Sequence, residues 1–586
     1  MKDTITWQYA LSVLLGASLL VGCQNNNPST EEFLIPTEPA VIAHGKELFQ
    51  ANCSACHNFR QSAIGPNLAG VTTEVEADWL YRFIHNAPEM IDAGDERSVR
   101  LYEEYKQYMP TFAMLDSSDI TAIIGYLHTY QERPPLASAA SLEGVLSNPI
   151  PEKIASASLA LVLEEVAQAP ATLSEPPIAR INKMLTLPVA DAADRWFIHD
   201  LQGVLYEVED STFRTYLDVR EQLDNFIDKP GLGTGFGSFA FHPDFHNNGL
   251  LYTTHTEAPG SAPADYAYSD SIDVTVQWVL TEWQTDDPQA DRFAGAPREL
   301  LRINMVSGIH GMQELTFNPT AKPDDEDYGL LYLSVGDGGA VLQGHPELTQ
   351  NLSGPWGSIL RIDPRGSNGP NGQYGIPDSN PFAQDGDEQT LGEVWAYGFR
   401  NPHRISWDRA GDHKMLISGI GQKNAEEINL GVAEANYGWS EREGTFRLDP
   451  QGDIDKPYAL PSNDAERGFT YPVAQYDHDE GRAISGGFVY RGKAIPELRG
   501  KYVFGDIVTG RLFYVESDSL RLGQQAEVKE LGLQIAGRDT DLRSATGINR
   551  VDLRFGIGPD QELYLFTKSD GKVRKVVDVV SIADNV

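Results

Sequence analysis

Cys53-Ser54-Ala55-Cys56-His57 decides the reading of the N-terminal part of this 586-residue chain. Two cysteines with two residues between them, followed at once by histidine, form the attachment signature of a c-type haem. The spacing lets both thiols reach the two vinyl groups of one porphyrin, and the histidine then falls beneath the ring with its imidazole toward the iron. A redox dithiol or half a zinc site would share the spacing. Zinc needs further thiol or imidazole ligands nearby, and no cysteine follows Cys56. Haem c is therefore the expected occupant, held by Cys53 and Cys56 with His57 on the iron.

Toward the N-terminus, the apolar run from Ala10 to Gly22 follows Lys2 and ends at Cys23. It is too short to span a bilayer comfortably but fits a signal-peptide core. Leu20-Val21-Gly22-Cys23 resembles a bacterial lipobox, which implies lipidation of Cys23 and a membrane anchor. A non-lipidated signal peptide is the alternative, because the n-region has one lysine beside Asp3. Either way the expected location is the periplasmic side of the cell envelope. Gln24, in place of an acidic residue after Cys23, points to the outer membrane. Residues 1–23 are thus a leader, and the polar, Pro-bearing stretch 24–38 is a tether.

From Pro39 the pattern turns helical, with Gly45, Leu48 and Phe49 ahead of the haem cysteines and Gly65-Pro66-Asn67-Leu68 after them. A second helix is expected over Glu76–His85, with Leu80, Phe83 and Ile84 on its apolar face. A last one is expected over Asp116–Gln131, capped by Ser117 or Ser118, with Ile120, Ile123, Ile124, Leu127 and Tyr130 on one stripe. Between them lies Met109-Pro110-Thr111-Phe112. A thioether suits haem iron, and Met/His ligation raises its potential. Met109 has rivals in Met90 and Met114. Residues 39–132 resemble class I cytochromes c, which implies Met109 as second iron ligand. It also implies a Pro66 carbonyl that accepts the outer N–H of His57.

Residues 133–152 are rich in Pro, Ser and Ala and read as a linker. Over 153–580 the texture changes to short apolar runs and glycine turns. They recur at Trp196–Ile198 with Val204–Tyr206, at Leu250–Tyr252, and at Leu330–Leu333 with Ile359–Ile362. The unit returns at Met415–Ile417, at Tyr502–Phe504 with Leu512–Tyr514, and at Leu563–Phe566 with Val573–Val576. This repetition predicts a six-bladed β-propeller, with a pair of sandwiches as the rival. The expected fold class is multidomain, an all-α cytochrome c domain followed by an all-β propeller. Lys+Arg 46 against Asp+Glu 84 leaves a net charge of −38, which excludes nucleic acid as a partner.

Several stretches of the second domain carry a family pattern: Gly235–Phe245, His310–Phe317, Tyr332–Gly339, Gly357–Pro364, Tyr397–Pro402, Asn436–Trp439 and Ser485–Gly492. In this order they resemble the glucose/sorbosone dehydrogenase family. Its members are quinoprotein sugar dehydrogenases using pyrroloquinoline quinone (PQQ), with hedgehog-interacting protein as a non-enzymatic relative. The resemblance implies His310 as catalytic base, Arg400 and Asn401 as a cofactor pair, and Arg491 in place of the family's lysine. It implies Arg550 or Arg554 as a further cofactor contact, and Gly421 and Gln422 as the loop whose carbonyls bind Ca2+. Met312 and Gln313 replace family glycines and are expected to narrow the substrate mouth. The implied protein is a PQQ-dependent sugar (aldose/pyranose) dehydrogenase that oxidises a sugar or polyol and feeds its own haem. An external cytochrome, copper protein or quinone would then take the electrons. The alternative is a PQQ-free propeller that binds carbohydrate or protein.

Overall fold

The computed structural model describes residues 33–105, 108–134, 144–189, 194–229 and 233–582. Cys23, the leader, most of the tether and the middle of the linker lie outside the described residues. Among the described residues no helix is long and apolar enough to cross a membrane.

The N-terminal unit holds helices Pro39–Asn52, Val71–Glu74, Ala77–Asp92, Glu96–Tyr105 and Ser117–His128. The first and last cross closely because Gly45 has no side chain: a Cβ there would lie 2.0 Å from the Ala122 carbonyl oxygen. Ile120, Ile123, Ile124 and Leu127 are buried against Phe49, Leu80 and Ile84. The last helix is capped by Asp116, whose carboxylate accepts the Asp119 N–H at 2.9 Å. The serines expected there lie inside the first turn, and a carboxylate one residue earlier also meets the positive end of the helix dipole. The second expected helix continues past His85 to Asp92, with a break at Asn86 two residues before Pro88, which lacks an amide donor.

The second unit is β-propeller-like. Four discrete antiparallel meanders come first, each of four strands. They comprise 181–187, 195–200, 204–209 and 212–218; then 236–241, 250–257, 276–285 and 295–305; then 314–317, 331–335, 358–362 and 394–397; then 402–407, 415–419, 425–430 and 474–477. The expectation of six separate blades is not met. Apart from the short pair Arg442–Glu443 and Phe446–Arg447, the remaining strands form one nine-stranded sheet, in which the meander 484–489, 501–506, 512–516, 529–535, with 538–540 beside its last strand, joins the meander 553–557, 563–567, 572–581 through strand 155–168. That strand pairs antiparallel with 572–581 and parallel with 529–535, so it ties the start of the unit to its end. Leu161 and Leu163, fully buried at this seam, each contribute about 1.5–3 kcal/mol.

The first strands of the successive meanders lie each against the next, and 553–557 lies against 181–187. They enclose an axis lined by polar side chains. Lys183 donates to Glu314 at 2.5 Å, and Arg404 stands 3.6 Å from the same carboxylate.

Candidate active site

In an antiparallel meander the start of the first strand and the end of the second share one rim. His310 precedes first strand 314–317, Arg400 and Asn401 precede 402–407, and Arg550 precedes 553–557. Asp337 follows second strand 331–335, and Gly421 and Gln422 follow 415–419. The topology therefore collects these residues on one face. Arg491 is the exception. It follows the end of a first strand, 484–489, which places it on the opposite rim, where its guanidinium grips Asp408 at 2.7 and 2.5 Å. The expectation that Arg491 meets the cofactor is thus corrected, because the residue sits at the wrong end of its strand.

His310 adopts a left-handed backbone (φ 52°), a strained state for a residue with a Cβ. Gly336 makes the room: a Cβ there would stand 2.3 Å from the His310 carbonyl oxygen. The imidazole Nδ1 meets Asp337 Oδ1 at 2.6 Å. Asp337 in turn accepts the Gly339 N–H at 2.8 Å and, through Oδ2, the Trp439 indole N–H at 3.0 Å. The carboxylate is thereby fixed, and it holds the histidine with a proton on Nδ1 and a lone pair on Nε2. Burial pushes His310 below its ordinary value and Arg400 pushes the same way, against the pull of Asp337. Burial alone would raise Asp337, but His310 and Arg400 hold it below the usual carboxylate range. The pair suits a neutral base. Asp337 and Trp439 were quoted in the sequence pattern without a role, since only the fold shows which carboxylate faces the imidazole.

Arg400 donates to the Gly421 carbonyl at 2.7 Å, to that of Ile420 at 3.2 Å and to Gln422 Oε1 at 2.8 Å. One of the two carbonyls expected to bind Ca2+, that of Gly421, therefore already faces a cation, while from Gln422 Arg400 takes the side-chain oxygen. Glu443, beneath the loop, accepts the N–H groups of Gln422, Lys423, Asn424 and Ala425. Among the described residues no group of three or more His, Cys, Asp or Glu could hold a metal. Calcium does not fit this arrangement, because Arg400 would repel it from the Gly421 carbonyl it needs. Asn401 is buried, and its carbonyl accepts the Ile420 N–H. Met312 is buried in the core and does not narrow a mouth, whereas Gln313 bonds His403 at 3.1 Å beside the site.

A planar polycarboxylate does fit. Arg400 Nε and His403 Nε2 are buried without partners. Arg404, Arg554 and Lys568 crowd together near the axis, and burial with mutual repulsion drives Arg554 down to about 9. Such an excess of buried cations calls for an anion.

The haem residues also fit their group. His57 Nδ1 donates to the Pro66 carbonyl at 2.9 Å, leaving Nε2 for iron. Burial pushes Cys53 up to about 12 and raises Cys56 as well, the reverse of what a redox dithiol needs. Met109 is half-buried against the cytochrome core, whereas Met114 is 72% exposed.

The haem loop lies on the same rim as His310. Ala63 packs with Ile309, Val341, Leu342 and Trp439 in one apolar cluster. Lys423 stands 5.4 Å over the Tyr105 ring, and Lys46 pairs with Asp273 at 2.9 Å. Arg550, bound to Asp552 at 3.1 Å, acts on the Cys56 thiol through its charge.

Comparison with known proteins gives two family matches. Residues 187–575 match the model described as glucose/sorbosone dehydrogenase, and residues 42–131 match cytochrome c. HIPL2 protein of Arabidopsis thaliana is 29% identical over 53% of this chain and 47% of its own length. Quinoprotein glucose dehydrogenase B of Acinetobacter calcoaceticus is 25% identical over 58% of this chain and 67% of its own. The chain spans about half the length of the first curated relatives it matches. A crystal structure of a glucose dehydrogenase aligns over 71% of this chain and 99% of that one, at 18% identity and a TM-score of 0.50.

Proposed function

Because the chain belongs to the glucose/sorbosone dehydrogenase family and carries a cytochrome c domain ahead of that match, we propose that it is an exported quinohaemoprotein that oxidises a sugar or related alcohol. The observation that carries this reading is the 2.6 Å His310–Asp337 pair on the rim that also receives the haem loop. PQQ, when bound, supplies the acceptor for the two electrons and hydrogen that leave the substrate carbon, and haem c carries electrons onward singly.

The protein's own part is to bind, orient and move a proton. His310 Nε2 takes the proton of the substrate hydroxyl, and Asp337 steadies the imidazolium that results. Arg400, Arg554 and Arg550 hold the anionic cofactor by charge. Calcium is left out of the reading, since Arg400 occupies the Gly421 carbonyl. Met109 completes the iron ligation, and Cys23 anchors the protein on the periplasmic side, with the outer membrane favoured. The nine-stranded sheet counts as two blades joined by their outer edges, which makes six around the axis. A PQQ-free binding module would leave the buried cations and orphan donors without an occupant.

The test is reconstitution of the haem-loaded protein with PQQ and a panel of aldoses and polyols. Substrate-dependent reduction of an artificial dye is expected. A His310→Ala variant should bind PQQ equally and turn over nothing. If no sugar or polyol yields reduction at saturating PQQ, the dehydrogenase reading fails.

A further inference from the structure

We propose that Lys568 is a ligand for a carboxylate of the cofactor, supplying the ammonium that the family pattern had suggested Arg491 would replace. The inference rests on the PQQ reading above and adds a residue that the sequence pattern did not mark. Lys568 directly follows second strand 563–567, so it belongs to the rim of His310, Asp337 and Arg400. Its backbone is pinned on both sides: its N–H donates to the Asp552 carbonyl and its carbonyl accepts the Ala179 N–H, each at 3.2 Å. The root of the side chain is thus fixed at the seam between the first and last meanders.

The ammonium itself has nothing to bind. Lys568 is 4% exposed, and its Nζ makes no hydrogen bond or ion pair among the described residues. The charges that act on it are mostly of its own sign, from Arg554, Arg180 and Arg404, with Asp552 the one attraction. Asp552 is already taken by Arg550 at 3.1 and 3.2 Å. Arg554 spends Nε on Asn182 and Nη1 on the Leu553 carbonyl, so it cannot relieve the crowding. Burial pushes the lysine well below its ordinary value, so that its proton is held loosely until a counter-charge arrives. A buried ammonium without an acceptor is costly. Asp552, shared with Arg550, repays only part of that cost, whereas a carboxylate on the rim would repay more. Arg491 is on the far rim and cannot serve.

The experiment is a titration of the haem-loaded protein with PQQ, followed by PQQ absorbance, in wild type, Lys568→Gln and Lys568→Arg. Lys568→Gln should weaken PQQ binding at least about tenfold, and Lys568→Arg should stay within about threefold, because a charge-assisted bond is lost in one and kept in the other. The PQQ trimethyl ester, which lacks the charges, should bind wild type and Lys568→Gln alike. Without cofactor, Lys568→Gln should melt at or above the wild-type temperature, since a repelled cation is gone; a lower melting temperature would mark a structural lysine and overturn the assignment. Equal PQQ affinity in wild type and Lys568→Gln overturns it too, while leaving the dehydrogenase reading standing. Wild type that binds no PQQ at all removes both.

Discussion

Replacing Asp337 by asparagine tests the proton-handling pair with little change of shape. Both carboxylate oxygens are in use: Oδ1 faces His310 Nδ1 and the Gly339 N–H, and Oδ2 faces the Trp439 indole N–H. A carboxamide can satisfy only one side. With its oxygen toward His310, the productive tautomer survives, but the NH2 group opposes the indole donor. With its NH2 toward His310, the imidazole must accept at Nδ1, so Nε2 carries the proton and cannot act as base. Either orientation buries one donor against another, at about 1–3 kcal/mol of stability. In the productive orientation, a bond to a charged group becomes a neutral one, a loss of about 1–1.5 kcal/mol and hence roughly 5–13-fold in kcat/KM. Molecules in the other orientation are inactive, which deepens the fall.

The pH profile supplies the signature. Asp337 pulls the His310 value up while burial and Arg400 hold it down. Without the carboxylate the imidazolium is less favoured, so the acidic limb of kcat/KM moves to lower pH even as the plateau drops. The assay is sugar-dependent dye reduction from pH 4 to 8, with melting temperature measured in parallel. A limb that stays put or moves up would refute the pairing of Asp337 with the base.

Other consequences follow from the same geometry. Glu427 is pushed up to about 7, chiefly by burial, from an ordinary 4.5. Its cost to stability is therefore absent in acid and grows as pH rises through that range, to at most about 3 kcal/mol and less where water reaches it. Glu427→Gln should raise the melting temperature at pH 8 and leave it nearly unchanged at about pH 4, below the ordinary carboxylate value. Asn429 Oδ1, now without a partner, can accept the new amide donor after a flip. Treatment with EDTA should leave PQQ affinity unaltered, because Arg400 holds the Gly421 carbonyl; calcium-dependent binding measured by PQQ titration would contradict that. Met109→Leu should lower the haem midpoint potential in a redox titration and change the visible spectrum. An unchanged spectrum would move the ligand to Met90.

Much of the architecture was legible in the sequence because its causes are local. Haem spacing, the proline carbonyl beneath His57 and the apolar stripe of the last helix each need only neighbours in the chain. Fixing the sheet count required the pairing of strand 155–168 with strands some 370 and 410 residues later, and nothing within the strand announces its partners. The site divides likewise. His310 and Arg400 stand in recognisable motifs, whereas Asp337 takes its meaning from facing His310 across two loops. Arg491 misled because a motif gives spacing and not the rim on which a strand ends. Lys568 was silent for the converse reason, since its burial and lack of an acceptor exist only once the ring is closed.

The central claim is that electrons leaving the substrate at His310 enter the haem of the same molecule. Stopped-flow mixing of PQQ-loaded protein with an accepted sugar, observed at the reduced haem band over a range of protein concentrations, tests it most directly. The account predicts haem reduction with a first-order rate constant independent of protein concentration, as expected where Ala63 of the haem loop packs with Ile309 and Trp439. Haem that stays oxidised while an added dye is reduced, or a rate that rises in proportion to protein concentration, would contradict it.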